Sequence, residues 1–190
     1  VEPAENIVEI AKKNGINTIC KFFSEVVGEE IYQKYGNFEI VFARHMFAHN
    51  SNPQELIKGA KNVMHGKGYF LIENAYAVDT FLHGEIDQIY HEHMFYFSLQ
   101  SIKNLMDLHG FHLVDFLTTD VHGGSLVYIF TNDPEESATT KVIESLAYEK
   151  SLFEEKKIFQ IFNDKIASLK NNMEFELAQA NTKDQKIISY

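Results

Sequence analysis

The sequence predicts an α/β fold in which helices flank a mostly parallel sheet that ends in an antiparallel hairpin. The first observation behind this prediction is that short apolar segments alternate with amphipathic ones through residues 1–75, as in strands joined by crossover helices. The second is a pair of apolar segments at 111–119 and 125–131, whose connection is too short to contain a helix. The third is the stretch 138–181, which contains no glycine or proline and favours helices.

Hydrophobic periodicity and the positions of glycine and proline define the elements of the first half. Three helices, each followed closely by a glycine, are predicted over residues 4–14, 24–35 and 53–64. Three short apolar strands are predicted over residues 17–23, 38–43 and 68–73. The strand at 38–43 is nearly free of polar residues, which predicts a buried parallel strand, and a polar loop is expected at 44–53.

The second half is predicted to begin with a helix between Ser98, which can cap its first turn, and Gly110, which can end it. The many charged residues of 138–181 indicate a helix pair that is solvated or that bridges domains. The chain starts without a methionine and ends on residues 186–190, which have the pattern of a strand. We therefore expect the chain to be part of a longer protein.

Composition limits the functions that are open to this chain. With 190 residues, of which 45% are hydrophobic, it can bury a substantial core, and no apolar segment has the length of a membrane span. The formal charge of −10, without clustered lysine or arginine, argues against unassisted binding of nucleic acid. Cys20 is the only cysteine, which excludes an internal disulfide and a thiolate metal site. Since the first residues lack the pattern of a secretory signal, we expect a cytoplasmic protein.

The densest group of chemically active side chains is the segment 90–98, Tyr-His-Glu-His-Met-Phe-Tyr-Phe-Ser. Imidazole titrates near neutral pH, so two histidines around a carboxylate are suited to proton transfer. If the segment is extended, His91 and His93 share one face, and Tyr90 and Glu92 share the other. If it is a loop, these groups can converge on one point. A partly buried polar strand with hydrogen-bonded histidines is the structural alternative, but the cluster as a whole favours a function.

Three further polar features follow predicted strands, where ligands bind in sheets of this kind. They are Glu2, residues 44–50, and Glu73 with Asn74. Glu2, which is followed by a helix, has the position of the acid that holds ribose hydroxyls in nucleotide-binding sheets. A surface glutamate without a function is the alternative. No serine or cysteine has the setting of a catalytic nucleophile.

The other histidines are weaker candidates for a site. His45 and His49 are spaced like two metal ligands on one helix face, but they lie in a predicted loop, and we predict no metal site. His122 precedes Gly123 and Gly124, whose freedom to adopt positive φ suits a tight turn, and contact with phosphate or substrate is the alternative. The remaining histidines are assigned to the surface or to helix caps: His65, His83, His109 and His112.

Four features fall in one order and spacing: Glu2-Pro3, Ala43-Arg44-His45 with His49, Tyr90-His91-Glu92-His93 with Tyr96-Phe97-Ser98, and His122-Gly123-Gly124-Ser125. Together they resemble the S-adenosylmethionine-dependent sugar C-methyltransferases, which methylate C3 of nucleotide-linked 4-keto-deoxyhexoses. The resemblance covers nearly the whole chain, and the Tyr-His-Glu-His run is its most specific part. Val127 departs from the pattern, in which a basic residue is expected.

This resemblance implies a fold and a domain organisation. Members of the family have a cysteine-rich zinc-binding module, a Rossmann-like class I methyltransferase domain and a C-terminal α/β domain. Residues 1–133 would be part of the methyltransferase domain, and residues 134–190 would be a helical connector and the start of a truncated C-terminal domain. The zinc module and the glycine-rich cofactor loop would lie outside this chain, and we expect the fragment alone to be inactive.

The resemblance also implies roles for individual residues. Those of the catalytic pocket would be His93, as the general base that removes the proton next to the ketone, with Tyr90, Glu92 and His49. Those that bind S-adenosylmethionine would be Glu2, which holds the ribose, Arg44 and His45. Those that contact the substrate, a nucleotide-linked sugar, would be Tyr96, His122, Gly123 and Gly124.

The implied chemistry is coherent, because a carbon next to a ketone must lose a proton before it can attack a sulfonium methyl group. One alternative is a methyltransferase of the same fold that acts on oxygen or nitrogen and needs no such base. Another is a non-catalytic domain that binds a partner through the helices of 138–181. A metal-dependent enzyme built on the histidines is the least favoured. We expect a small-molecule substrate, and a monomer or weak homo-oligomer.

Overall fold

A mixed sheet of four strands forms the centre of the described structure, a computed structural model that covers residues 1–64, 66–183 and 185–188. Its strands are β1 (Ile40–Arg44), β2 (Tyr69–Ala75), β3 (His112–Thr119) and β4 (Ser125–Thr131). In the order β1-β2-β4-β3, β1 is parallel to β2, whereas β4 is antiparallel to both of its neighbours. The predicted α/β sheet with a terminal antiparallel hairpin is therefore confirmed, but the sheet is mixed rather than mostly parallel, since β1 and β2 are the one parallel pair among these four strands.

Helices flank this sheet, and the predicted helical segments are confirmed with small shifts of their ends. The helices are α1 (Glu5–Lys13), α2 (Glu25–Tyr35), α3 (Pro53–Val63), α4 (Ala77–His83), α5 (Leu99–Asp107), α6 (Thr140–Glu154) and α7 (Lys157–Thr182). Short 3₁₀ turns lie at Phe47–His49, Ile86–Gln88 and Val121–Gly123. Across the described ranges, no helix is both long enough and apolar enough to cross a membrane.

Side-chain caps mark the starts of α2 and α5, and a glycine marks the end of α5. Ser24 Oγ accepts a hydrogen bond from Val27 N–H at 3.3 Å at the start of α2. At the start of α5, Ser101 N–H donates to Ser98 Oγ at 3.2 Å, and Ser98 N–H donates to Ser101 Oγ at 2.9 Å. Gly110, with φ of +79°, follows α5 in a left-handed conformation. The predicted cap and the predicted end of this helix are confirmed.

The predicted strand at 17–23 is wrong, and so is the predicted burial of the strand at 38–43, which forms β1. Residues 17–23 form no ladder within the described part of the chain, and their backbone bond to a distant residue is from Glu2 N–H to Ile19 O at 3.0 Å. Without a paired neighbour, an apolar extended segment is not a strand. The segment at 38–43 is not buried either, because β1 is an edge strand that β2 pairs on one side, which leaves Ile40 and Phe42 exposed.

The end of the chain and one histidine fall partly outside the described residues. Residues 186–188 have no regular structure, and residues 189 and 190 lie outside the described ranges, as does His65. The predicted strand at 186–190 therefore finds no support in the residues that can be seen. His83, in the last turn of α4, and His112 are exposed, as the sequence predicts.

Aromatic side chains fill the core between the sheet and the helices. The largest buried aromatic residues are Phe47, Phe70, Phe111, Tyr128 and Phe130. The Phe70 ring makes edge contacts with the rings of Phe47 at 6.5 Å and Phe111 at 5.8 Å. This core extends into the polar second half of the chain, because α6 packs on α5 and β3, and Val142 of α6 is fully buried.

A buried carboxylate ties α6 to the rest of the fold. Glu149 is fully buried, and its Oε1 accepts hydrogen bonds from Leu99 N–H at 2.6 Å and from Tyr76 O–H at 2.7 Å. Its Oε2 accepts from Gln100 N–H at 3.0 Å. The carboxylate therefore caps α5, where the helix dipole favours a negative charge. Burial, together with this carboxylate, raises the pKa of Tyr76 far above its ordinary value.

We expect Glu149→Gln to lower the free energy of unfolding by about 2–4 kcal/mol, because the amide nitrogen cannot accept and leaves a buried donor unpaired. The matched control is Glu154→Gln on the same helix, where the side chain is exposed and the change should stay below about 0.5 kcal/mol. Urea denaturation followed by circular dichroism measures both. Equal stabilities of Glu149→Gln and the wild type would contradict the role of this carboxylate.

Candidate active site

A cavity of about 260 Å³ lies at the carboxyl ends of β1 and β2, and the loop of residues 90–97 forms one of its walls. Its polar lining residues are His45, His49, Asn74, Thr80, Gln88, Tyr90, Glu92, His93, Tyr96 and His122. Residues 91 and 92 form a turn rather than a strand. The central cluster therefore adopts the loop alternative, in which Tyr90, His93 and Tyr96 line one cavity while the His91 side chain stays outside it.

Two backbone hydrogen bonds anchor this loop, one at its middle and one at its end. Met94 N–H donates to Ala48 O at 3.0 Å, which ties the middle of the loop to the 3₁₀ turn after β1. Ala77 N–H donates to Phe97 O at 3.0 Å, and the buried Phe97 ring lies 5.5 Å from the ring of Phe47. These contacts tie the second half of the loop to the 3₁₀ turn after β1 and to the start of α4.

The tautomer of His93 follows from its hydrogen bonds. Its Nδ1 lies 2.9 Å from Gln88 O, and because a carbonyl oxygen can only accept, Nδ1 carries the hydrogen. In the neutral ring Nε2 then holds a lone pair, and it accepts from Tyr90 O–H at 3.0 Å. Tyr96 O–H donates to the same Gln88 oxygen at 3.3 Å. His93 thus presents the nitrogen that a general base needs, next to a phenol.

His49 is held in the same way. Its Nδ1 lies 2.9 Å from Glu92 O and donates to it, which places the lone pair of the neutral ring on Nε2. Its ring centre lies 4.8 Å from that of His93. Glu92 contributes this backbone oxygen, whereas its carboxylate is largely exposed, 4.0 Å from His91. The His91 side chain is 91% exposed, so the extended arrangement that pairs His91 with His93 does not occur.

A second groove, of about 530 Å³, adjoins the cavity at His49, which lines both. Glu2 lies in this groove, and its Oε1 accepts a hydrogen bond from Ala4 N–H at 2.9 Å, which orients the carboxylate. The rest of the lining is mixed: it includes the apolar side chains of Phe22, Phe23 and Met46, the polar side chains of Ser24, Asn50, Ser51 and Asn52, and the charged side chains of Lys21 and Glu55. This combination fits a nucleoside, because a carboxylate accepts from ribose hydroxyls and apolar side chains cover a base.

The two other predicted cofactor residues lie elsewhere. Arg44 Nε donates to the buried Glu73 carboxylate at 2.8 Å. His45 lines the cavity that contains His93 and does not line the groove that contains Glu2. His45 Nε2 lies 3.2 Å from Glu73 Oε1, without the alignment of a hydrogen bond. The His45 ring packs edge-on against His122 at 4.7 Å. The resemblance implied cofactor contacts for both residues, but Arg44 ends β1 on Glu73, and the chain turns at His45, whose φ is +44°.

The glycines of the predicted turn pack against acidic side chains. Gly123 (φ of +77°) faces Glu85, and Gly124 (φ of +143°) faces Asp79, so closely that a Cβ atom on either would overlap the carboxylate. Burial raises the pKa of both acids. Close packing and positive φ explain why both positions are glycine. The carboxylates of Asp79 and Glu85 lie beside this turn, and their negative charge does not favour the binding of a phosphate there. Contact of Gly123 and Gly124 with a substrate stays a prediction.

The histidines do not form a metal centre. His45 and His49 lie four residues apart but face different partners, His122 and His93. Over residues 1–64, 66–183 and 185–188, no group of three or more histidine, cysteine or acidic side chains is arranged to hold a metal ion.

Comparison with known proteins identifies the family. The sequence profile of the methyltransferase domain family matches residues 1–115, which is more than half of the chain. The chain belongs to the methyltransferase family. Residues 120–190 of this methyltransferase match a second profile, that of the C-methyltransferase C-terminal domain.

Two known proteins are similar to this methyltransferase. The C-methyltransferase NovU of Streptomyces niveus is 37% identical over 152 residues, which are 80% of this chain and 36% of that protein. The chain therefore spans about a third of the length of this relative. A crystal structure of an S-adenosylmethionine-dependent methyltransferase from Thermotoga maritima, named as a possible histamine N-methyltransferase, superposes with a TM-score of 0.51. It covers 70% of this chain and 71% of its own at 18% identity, and so shares the fold.

The two profile matches meet inside the sheet of this methyltransferase. The second begins at residue 120, before β4, and β4 lies between β2 and β3. Both matched segments therefore contribute to one sheet and one core. The predicted domain division between residues 133 and 134 stays a prediction, and α6, which follows it, packs on α5 and β3.

The sequence drew attention to Asn74 without giving it a role. Asn74 lines the cavity and is 2% exposed, and neither Oδ1 nor Nδ2 has a hydrogen-bond partner in the described structure. An unpaired buried amide costs about 1–3 kcal/mol. Two consecutive polar residues, Glu73 and Asn74, at the end of an apolar strand were the available signal. No signal in the sequence indicated that Glu149 is buried, because it is one of many charged residues in the helical stretch 138–181.

We expect the pKa of His45 to lie below its ordinary value of 6.5, because burial lowers it more than the Glu73 carboxylate raises it. Replacing that charge, in Glu73→Gln, should lower the pKa of His45 further. Since the pKa in the folded state is below that of the unfolded chain, the stabilisation is present above pH 6.5 and is lost as the pH falls through the folded value.

An NMR titration of the imidazole signals, assigned with a His45→Gln variant, measures the pKa of His45 in the wild type and in Glu73→Gln. A His45 pKa above 6.5, or a rise in Glu73→Gln, would show that charge rather than burial controls this ring.

Proposed function

We propose that this protein is an S-adenosylmethionine-dependent C-methyltransferase that acts on a nucleotide-linked keto-deoxy sugar. The observation that carries the proposal is the arrangement of a groove that contains Glu2 and a polar cavity that meet at His49, with His93 among the residues that line the cavity. The relative NovU, itself a C-methyltransferase, and the C-methyltransferase profile over residues 120–190 support transfer to carbon.

S-adenosylmethionine, when bound, supplies an electrophilic methyl group on a sulfonium sulfur. Glu2 and the apolar side chains of the groove would hold its nucleoside, and His49, which lines both spaces, would lie near the junction of cofactor and acceptor. The roles of Arg44 and His45 in cofactor binding are not part of this proposal, because neither residue lines the groove.

His93 Nε2 removes the proton from the carbon next to the ketone. The C–H electron pair forms the C=C bond of an enolate, and the carbonyl π pair moves to oxygen. Tyr90 O–H donates to Nε2 at 3.0 Å in this structure, so it must leave that nitrogen, and it can then donate to the enolate oxygen. S-adenosylmethionine, when bound, would supply the methyl group to the enolate carbon as the oxygen pair re-forms the ketone. The His93 imidazolium then releases its proton to solvent.

The size and lining of the cavity favour a single polar ring as the part of the acceptor that is enclosed. Its volume of about 260 Å³ is below the range of about 300–1,000 Å³ for sites of drug-sized ligands. The phenols of Tyr90 and Tyr96 and the ring of His122 offer hydrogen bonds to hydroxyl groups. A nucleotide attached to the sugar would extend out of the cavity. We infer a cytoplasmic monomer or weak homo-oligomer, as expected from the sequence.

We expect the complete gene product to bind S-adenosylhomocysteine, and Glu2→Ala to weaken this binding by about tenfold or more, or about 1.4 kcal/mol, through loss of the ribose contact. Glu5→Ala is the matched control, since Glu5 is an exposed acid of the next helix that does not line the groove. Isothermal titration calorimetry measures the three affinities. Absence of binding by a folded wild type would leave a non-catalytic domain as the better account.

We expect His93→Asn to lower kcat/KM for methylation of a nucleotide-linked 4-keto-deoxyhexose by about 10²–10⁴-fold, because a carbon acid needs a base. His91→Asn should leave kcat/KM unchanged, since His91 is 91% exposed and outside the cavity. Radiolabelled methyl transfer measures both. Undiminished turnover in His93→Asn would favour transfer to oxygen or nitrogen instead of carbon.

A further inference from the structure

Asn74 combines deep burial with an unsatisfied side chain that faces the cavity. It is 2% exposed and lines the cavity, and neither amide atom has a hydrogen-bond partner among the described residues. A primary amide carries two donor hydrogens and an acceptor oxygen, and folded proteins satisfy nearly all such buried groups. The unsatisfied amide therefore indicates a polar partner that enters the cavity from outside the chain.

The register of the sheet explains why this amide faces open space. β1 ends at Arg44, which pairs with Glu73, and the chain then turns away at His45, whose φ is +44°. On the opposite side, Asn74 is held by β4 across from Leu126. Asn74 therefore lies on β2 where β4 still pairs with it, at the first position that β1 no longer pairs. A donor held in this way needs little reorganisation when charge develops on a ligand.

We propose that Asn74 binds the acceptor directly, with Nδ2 donating to the ketone oxygen and Oδ1 accepting from a hydroxyl on a nearby carbon. This inference rests on the proposed function and deepens it, because it defines the substrate class as a hydroxy ketone. The Nδ2 hydrogen bond strengthens as the ketone oxygen gains the charge of an enolate, and Tyr90 donates to the same oxygen from the loop. A ketone without the hydroxyl leaves Oδ1 unpaired and is a poor substrate.

Two substitutions in the complete gene product test this role. Asn74→Leu keeps the size of the side chain and removes both polar atoms, and Asn74→Asp keeps the acceptor and removes the donor. With the nucleotide-linked 4-keto-deoxyhexose that the wild type methylates, both should lower kcat/KM by about 100-fold or more. Binding of S-adenosylhomocysteine should be unchanged, because Asn74 does not line the groove of Glu2.

The melting temperature separates a binding role from a structural one. Asn74→Leu should retain or raise the Tm of the free protein, because it removes a buried polar group that has no partner. Thr119→Val is the matched control: Thr119 Oγ1 is also buried without a partner in the described structure, but it lies outside the cavity. That variant should keep the full kcat/KM.

The outcomes distinguish this inference from the proposed function. A wild type that methylates no keto sugar would overturn the proposed function and the role of Asn74 with it. An active wild type whose kcat/KM falls less than about tenfold in Asn74→Leu would overturn the role of Asn74 alone. A markedly lower Tm of Asn74→Leu would do the same, because it would show that the amide supports the fold.

Discussion

Two backbone carbonyl oxygens decide which nitrogen of each active-site histidine can act as a base. Gln88 O and Glu92 O hold the Nδ1 hydrogens of His93 and His49, so the lone pairs of both neutral rings lie on Nε2. These oxygens belong to the loop between α4 and α5, and the loop keeps its shape because it is anchored to the 3₁₀ turn after β1 and to the start of α4. The tautomers of both histidines are therefore set by the backbone of a loop.

The second half of the chain is needed to hold that loop. β4 pairs with β2, and its Tyr128 O–H donates to Phe97 O at 3.3 Å, at the end of the loop. Glu149 of α6 caps the helix that follows and also binds Tyr76, next to the start of α4. The C-methyltransferase profile covers both β4 and α6. The segment matched by that profile is thus a structural part of the sheet domain, and a cut near residue 120 would remove a central strand.

Much of the fold could be predicted from sequence, because local signals agree with the final structure. Ser98 and Gly110 mark the ends of α5, and the short connection of β3 and β4 requires a hairpin. The exposure of Ile40 could not be predicted, because burial depends on which strands pair and not on apolar character. In the site, the cluster of Tyr90 and His93 could be found from the local sequence. The position of His45 outside the groove of Glu2 could not, because it follows from a positive φ that is uncommon for a histidine.

The central claim is that His93 removes a proton from a carbon next to a ketone. Incorporation of solvent deuterium at that carbon, followed by NMR with S-adenosylhomocysteine bound so that methyl transfer cannot follow, tests this step in isolation. The account predicts incorporation with the wild type and a loss of about 100-fold or more in His93→Asn. Incorporation that is equally fast in His93→Asn would show that another group removes the proton and would contradict the assignment of the base.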